Sequence, residues 1–288
     1  MSESEGPAGR SPLYEVVHAS RYERQALIRQ IEQETGRRLI VYFSNSDPIL
    51  QPDVGPFQDL LYDCAKGCDI DLLIQSPGGD VDTAEKLVIM LRERARGFRV
   101  IVTERAKSAA TMIALAADEI LMSSTSELGP IDPQIQTMSG GNAVYRPAQS
   151  FLDGLEENKK RAIAEGGVNP AYFPLLSQLD PALLDFCQKA TQRSGLFAEK
   201  WLSRHMLKDD HAKAKEIADK LVNVKTYSSH GMVIDWRDAQ ELGLNVTHMD
   251  EDDHLWRLLW RLYLFYEMHC AREKLAKVFE GNKVSLAF

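Results

Sequence analysis

Long hydrophobic runs are missing from this chain of 288 residues. The most apolar C-terminal stretch, Leu255 to Met268, is interrupted by Arg257 and Arg261 and falls short of the roughly 20 residues that a bilayer-spanning helix requires. Met1 to Pro12 is rich in Ser, Glu, Gly and Pro and has no apolar core of the kind a signal peptide carries. No intrinsic membrane anchor is expected, and residues 1–20 read as a flexible N-terminal tail. Basic tracts are equally absent. With 34 Lys and Arg against 42 Asp and Glu, the formal net charge is −8, so concentrated cationic surface for a polyanion is lacking and no nucleic-acid partner is expected. Cysteine is scarce: Cys64, Cys68, Cys187 and Cys270 form no pair of CxxC units. Cys64 and Cys68 are spaced as neighbours on a helix face, but no Cys/His pair follows at zinc-site spacing, so no metal is expected. Reduced, buried thiols and a cytoplasmic location follow. The chain also lacks a P-loop and a GxGxxG motif placed after a strand, which leaves no cofactor and no ATP-driven step to assign.

The chain does carry an alternation of helical and extended patterns. Tyr22 to Thr35 reads as an exposed helix stopped by Gly36, and Arg38 to Phe43 as a strand. Gly55 to Cys68 reads as a helix, Ile70 to Gln75 as a strand, Asp82 to Arg96 as a helix stopped by Gly97, and Arg99 to Thr103 as a strand. A small-residue helix over Ser108–Ala117 and a strand over Glu119–Met122 complete the series. Such alternation predicts parallel strands joined by helical crossovers, an α/β domain with both sheet faces covered. Beyond Ile131 the pattern becomes helical: Ser150–Glu165, Ala182–Leu207 and Ala212–Leu221, with a Gly-containing loop at Met138–Asn142 and a proline-punctuated stretch at Gly166–Pro181. Asp250-Glu251-Asp252-Asp253 then opens an aromatic helix with Trp256, Trp260, Tyr263, Phe265 and Tyr266. The division expected is a tail (1–20), one main domain (21–247) and a C-terminal aromatic helical extension (248–288).

Two segments carry chemistry. Leu72-Leu73-Ile74-Gln75-Ser76 runs into Pro77-Gly78-Gly79-Asp80, where glycine lets a backbone N–H approach a developing negative charge. Lys107-Ser108-Ala109-Ala110-Thr111 follows the next strand, and a serine at a strand-to-helix junction sits beside the free N–H groups of a first helical turn. Taken singly, a turn and a helix N-cap explain these features. Their order and spacing suit acyl transfer.

Ser76-Pro77-Gly78-Gly79-Asp80, Lys107-Ser108-Ala109-Ala110-Thr111, Ala114 to Ile120 and Ser126 to Gln134 together resemble the serine dehydrogenase proteinase family, which is similar to Clp protease and signal peptide peptidase A within the Clp/crotonase superfamily. The likeness is dense from Leu39 to Gln134 and returns at Ser229 to Ile234 and Asp238 to Leu244. It implies a Clp/crotonase-like ββα superhelix core with mostly parallel strands and helical C-terminal extensions. It also implies a homo-oligomer acting on a peptide or protein substrate. By the same resemblance Ser108 is the nucleophile and the N–H groups of Gly79 and Ala109 form the oxyanion hole. No histidine stands about 25 residues after the serine, where Clp protease has one; Asp132 stands there instead, and the family order Ser, Asp, His is met by Asp132 and His230. A Ser–Lys dyad of the signal peptide peptidase A kind would draw on Lys159 or Lys160, inside the charge run Glu156 to Arg161. Acyl-CoA chemistry on the same fold, or a scaffold without activity, are the other readings open at this point.

Overall fold

Short runs of aliphatic residues build the centre of the molecule, and their burial on both sides is what turns them into parallel strands. The computed structural model describes residues 11–164, 167, 180–223 and 230–288. Most of the proline-punctuated stretch, the first ten residues, Glu165 and Ser229 lie outside them. Strands β1 (Arg38–Ser44), β2 (Cys68–Ser76), β3 (Ala95–Ala106), β4 (Glu119–Met122) and β8 (Val246–His248) pair in that order, all parallel. A short β5 (Glu127–Leu128) pairs in parallel with the C-terminal end of β3. The far edge is antiparallel: β9 (Lys277–Glu280) pairs with β1, and β10 (Ser285–Ala287) with β9.

Alternation along the strands sorts side chains between two cores. Ile40, Tyr42, Ile70, Leu72, Ile74, Val100 and Val102 face α3 (Val54–Tyr62), α4 (Val81–Arg94) and α5 (Ala109–Leu115), with α7 (Pro181–Arg204) and α8 (His211–Val222) packed behind. Leu39, Val41, Phe43, Leu73 and Ile101 face the other way, onto α2 (Ala19–Thr35) and α10 (His254–Glu273). The period of two follows from the pleat. Between β5 and α7 stand a hairpin, β6 (Gln134–Ser139) with β7 (Asn142–Pro147), and helix α6 (Ala148–Ala164). Helix α9 (Trp236–Leu242) leads into β8 and ends on Gly243 in the left-handed region, φ +97°. Among the described residues no helix is long and apolar enough to cross a membrane.

Several elements differ from expectation for identifiable reasons. Part of the expected tail is helical: α1 (Pro12–Val17) is capped by the Ser11 hydroxyl, which accepts from Tyr14 N–H, and α2 begins at Ala19. The first helix of the sheet region ends at Tyr62, so Cys64 and Cys68 share no helix face; Cys68 opens β2. Gly97 does not stop a helix but lies within β3, where a Cβ would sit 2.8 Å from Asp69 Oδ1. Gly140 and Gly141, read as a loop, are the turn of a hairpin, at φ +57° and +82°. The C-terminal aromatic helix packs on the main sheet through Trp256, Leu259, Leu262, Tyr263 and Tyr266, and the chain then adds two strands to that sheet.

Candidate active site

Strand β2 stops at Pro77, and the two glycines after it take conformations that disfavour side chains: φ is +102° at Gly78 and +148° at Gly79. Three backbone groups of this bend have defined partners. Gly78 N–H donates to Ser76 Oγ at 3.1 Å, Ile49 N–H donates to Gly78 O at 2.7 Å, and Asp80 N–H donates to Ile49 O at 2.9 Å. Since Ile49 bonds the residues on either side of Gly79 in a parallel bridge, the N–H of Gly79 turns to the opposite side. A Cβ at Gly79 would lie 2.3 Å from Ile49 N, and one at Gly78 would lie 2.7 Å from Ser108 Cβ and 3.2 Å from Ala109 N. Glycine is therefore required twice, once against Ile49 and once against Ser108.

Ser108 is held at φ +51°, ψ −117°, a conformation that costs a non-glycine residue on the order of 1–3 kcal/mol and persists where the surroundings enforce it. Those surroundings are explicit. Lys107 N–H donates to Ser76 O at 3.1 Å, Ala110 N–H to Lys107 O at 2.9 Å, and Met112 N–H to Ser108 O at 3.0 Å. The buried Thr111 hydroxyl donates to Ala106 O at 2.6 Å and accepts from Gly129 N–H at 3.0 Å, tying the end of β3 to the link after β5. Ala109 N–H, the first of α5, has no partner among the described residues, as expected in a first helical turn. Ser108 itself is partly exposed, and its Oγ makes no hydrogen bond among the described residues.

That link, Gly129-Pro130-Ile131-Asp132-Pro133, carries Asp132 into the interior, where it is 1% exposed. Asp132 Oδ1 lies 2.7 Å from His230 Nδ1, and Oδ2 accepts from Gln134 Nε2 at 2.7 Å. A carboxylate at this distance accepts from an Nδ1–H, and in a neutral imidazole held so the lone pair is on Nε2. The His230 side chain is 28% exposed. Ile131 N–H anchors the link on Leu221 O at 3.0 Å, and a two-bond bridge between Leu128 and Ile234 brings the segment after His230 alongside β5.

Lys107 joins the two halves. Its Nζ lies 3.0 Å from Glu127 Oε1, donates to Leu128 O at 3.1 Å and to Met232 O at 3.2 Å, so the residue before Ser108 grips the loop two residues after His230. A Cβ on Gly129 would meet Lys107 Cδ at 2.7 Å.

The structure thus brings Gly78, Gly79, Ser108 and Ala109 together, brings Asp132 and His230 together, and connects the groups through Lys107 and Thr111. It does not bring Ser108 and His230 into hydrogen-bond contact. Lys159 and Lys160 are exposed on α6, and Lys159 pairs with Glu156 at 3.6 Å. His205, stacked on Trp201, is pushed down to about 4 by burial and by the neighbouring Arg92. Among the described residues no group of three or more His, Cys, Asp or Glu is arranged to hold a metal ion. The sequence motifs assign no role to Ile49, Lys107 or Gln134. Lys107 and Gln134 stand beside Ser108 and Asp132 in the quoted segments, whereas nothing local marks Ile49.

Residues 61–267 match the family described as ClpP-like SDH-type serine proteinase. Two uncharacterised proteins of Methanocaldococcus jannaschii are relatives: one is 26% identical over 238 residues, 78% of this chain and 72% of its own length, and the other is 33% identical over 186 residues, 64% and 55% respectively. The chain thus spans little more than half of the second relative. Among solved structures, a mutant of the 1510-N membrane-bound stomatin-specific protease superposes with a TM-score of 0.46 at 14% identity, covering 76% of this chain and 81% of that one. A mutant ClpP1 from Listeria monocytogenes gives 0.39 at 13%, covering 78% and 99%. The family match extends over well over half of the chain, from the end of α3 into α10, and takes in Gly79, Ser108, Asp132 and His230; this protein belongs to the ClpP-like SDH-type serine proteinases.

Proposed function

We propose that this chain hydrolyses peptide bonds, without ATP, through an acyl-enzyme on Ser108. The observation that carries the reading is the buried Asp132 carboxylate set 2.7 Å from His230 Nδ1, because a carboxylate there selects the tautomer whose lone pair is on Nε2. In the proposed reaction Ser108 Oγ attacks the carbonyl carbon while its proton passes to His230 Nε2. The tetrahedral oxyanion accepts hydrogen bonds from the N–H groups of Gly79 and Ala109. Collapse expels the amine with the proton from His230, and water then repeats the sequence to release the acid. Asp132 stabilises the imidazolium formed in each half, and Gln134 keeps the carboxylate in register. In free enzymes the nucleophile–base hydrogen bond is often long and closes in the substrate complex, which accommodates the separation of Ser108 from His230 here.

A lysine base is disfavoured, because an ammonium has to be desolvated to work near neutral pH and Lys160 stands exposed on α6. Enolate chemistry on an acyl-CoA would use the paired N–H donors alone. It gives no purpose to the strained Ser108 or to the Asp132–His230 pair. Exposed apolar side chains at Met138 and Tyr145 on the hairpin, and at Ile163 on α6, favour a homo-oligomer. Four free cysteines, three of them buried, fit a cytoplasmic setting.

A fluorophosphonate probe tests the nucleophile. The expected result is one adduct per chain, mapped to Ser108 and lost in Ser108→Ala; labelling that survives the substitution removes Ser108 from the mechanism.

A further inference from the structure

On the far side of Ile49 from the diglycine bend, a buried ion pair grips the two peptide groups that flank Ile49. Lys277 Nζ, on β9, lies 2.8 Å from both carboxylate oxygens of Asp53 and donates to Pro48 O at 2.6 Å. Asp53 Oδ2 accepts from Leu50 N–H at 2.9 Å and from Tyr42 Oη at 2.8 Å. The ion pair is almost closed to solvent, with side chains 8% and 6% exposed.

The Pro48–Ile49 peptide group therefore has its carbonyl on the Lys277 ammonium and its N–H on Gly78 O. The Ile49–Leu50 group has its N–H on the Asp53 carboxylate and its carbonyl on Asp80 N–H. Each peptide plane is pinned on one edge by a charge and on the other by the diglycine bend. Nothing local in Pro77-Gly78-Gly79 would otherwise hold Gly79 at φ +148°, since glycine lacks the steric preferences that fix other residues.

We propose that Asp53 and Lys277 are positioning residues for the oxyanion hole, acting through Ile49 to fix the direction of the Gly79 N–H. The proposal rests on the peptidase reading above. It makes the C-terminal strand β9 part of the apparatus that orients the donor, although Lys277 touches neither substrate nor Ser108. Charged groups suit this task because a charge-assisted hydrogen bond is shorter and stiffer than a neutral one. Small displacements of an oriented donor are costly, with about 1 Å of misplacement worth about 100-fold in rate.

The test compares wild type, Lys277→Met and Tyr42→Phe by amide hydrogen exchange and by the rate of fluorophosphonate labelling. Exchange at Ile49, Leu50 and Asp80 is expected to quicken at least about tenfold in Lys277→Met, while amides in the centre of β2 and β3 stay protected. The maximal labelling rate should fall by about 10- to 100-fold, with the half-saturating probe concentration changed less than about threefold. Tyr42→Phe removes one donor to Asp53 and keeps the ion pair, so it should show the same pattern at about threefold, and it decides the matter if Lys277→Met does not fold. Exchange that rises evenly across the sheet, or a folded variant labelled at the wild-type rate, overturns the proposal. Wild-type protein that takes no label at Ser108 while the localised exchange effect persists overturns the peptidase reading and leaves the positioning of the bend standing.

Discussion

Ser108 carries backbone strain that nothing in the packing of α5 requires, since an ordinary extended N-cap would start the same helix. Holding it at φ +51° puts its side chain against Gly78, beside the unpaired Ala109 N–H, where a carbonyl would enter. Gly79→Ala tests the bend directly. A Cβ 2.3 Å from Ile49 N, in backbone rather than in a flexible side chain, forces the peptide to move. Turnover should drop by about 100-fold or more, the usual consequence of losing one oxyanion donor, and peptide hydrolysis at saturating substrate measures it. Asp132→Asn leaves the shape of the site intact but favours the wrong tautomer of His230. Its kcat is expected to fall by about 10^4, with KM little changed, and steady-state kinetics on a peptide separates the two.

Among the elements, β9 links the Ser108 side of the sheet to its back. Besides the Asp53–Lys277 pair it carries Glu280, fully buried against Arg24 of α2, with contacts of 2.6 Å from Nε and 3.3 Å from Nη2. Removing one partner strands the other charge in the interior, so Glu280→Ala should lower the unfolding free energy by about 3–5 kcal/mol, read from the shift of the urea midpoint. The parallel core was legible in the sequence because Leu72-Leu73-Ile74 and Val100-Ile101-Val102 are buried on both faces, and such runs between capped helices admit few alternatives. Asp80 and Asp253 cap the helices that follow them, accepting from Thr83 N–H at 2.7 Å and Leu255 N–H at 2.8 Å, as their positions in the sequence suggest. Short elements were not legible. Lys277-Val278-Phe279-Glu280 puts a Lys and a Glu inside the protein, and only partners distant in sequence, Asp53 and Arg24, make that tolerable. Gln134 to Pro147 shows no clean alternation, and its hairpin hides behind Gly140-Gly141. In the candidate site, Ser108 and the two glycines are marked by local composition, whereas the contacts of Ile49 and Lys107 reach across about 20 to 125 residues of chain.

Considered entire, the protein joins a structural core of matched buried charges to a site open at the C-terminal ends of β2 and β3. Part of its acid response follows from His205, away from that site. Burial, aided by Arg92, holds His205 down to about 4, against 6.5 for a free imidazole. Between those values the unfolded chain binds the extra proton, so this contribution to stability is complete above about 6.5 and is lost as the pH falls toward 4. Melting temperatures measured from pH 7 to pH 4 should decline, and His205→Gln should flatten the fall. The most direct measurement of the central idea is a crystal structure of the protein inactivated by a peptidyl phosphonate. Covalent attachment to Ser108 Oγ is predicted, with one phosphonyl oxygen about 2.7–3.1 Å from both the Gly79 and Ala109 nitrogens. An adduct on another residue, or a phosphonyl oxygen turned to solvent with those two N–H groups unengaged, would contradict it.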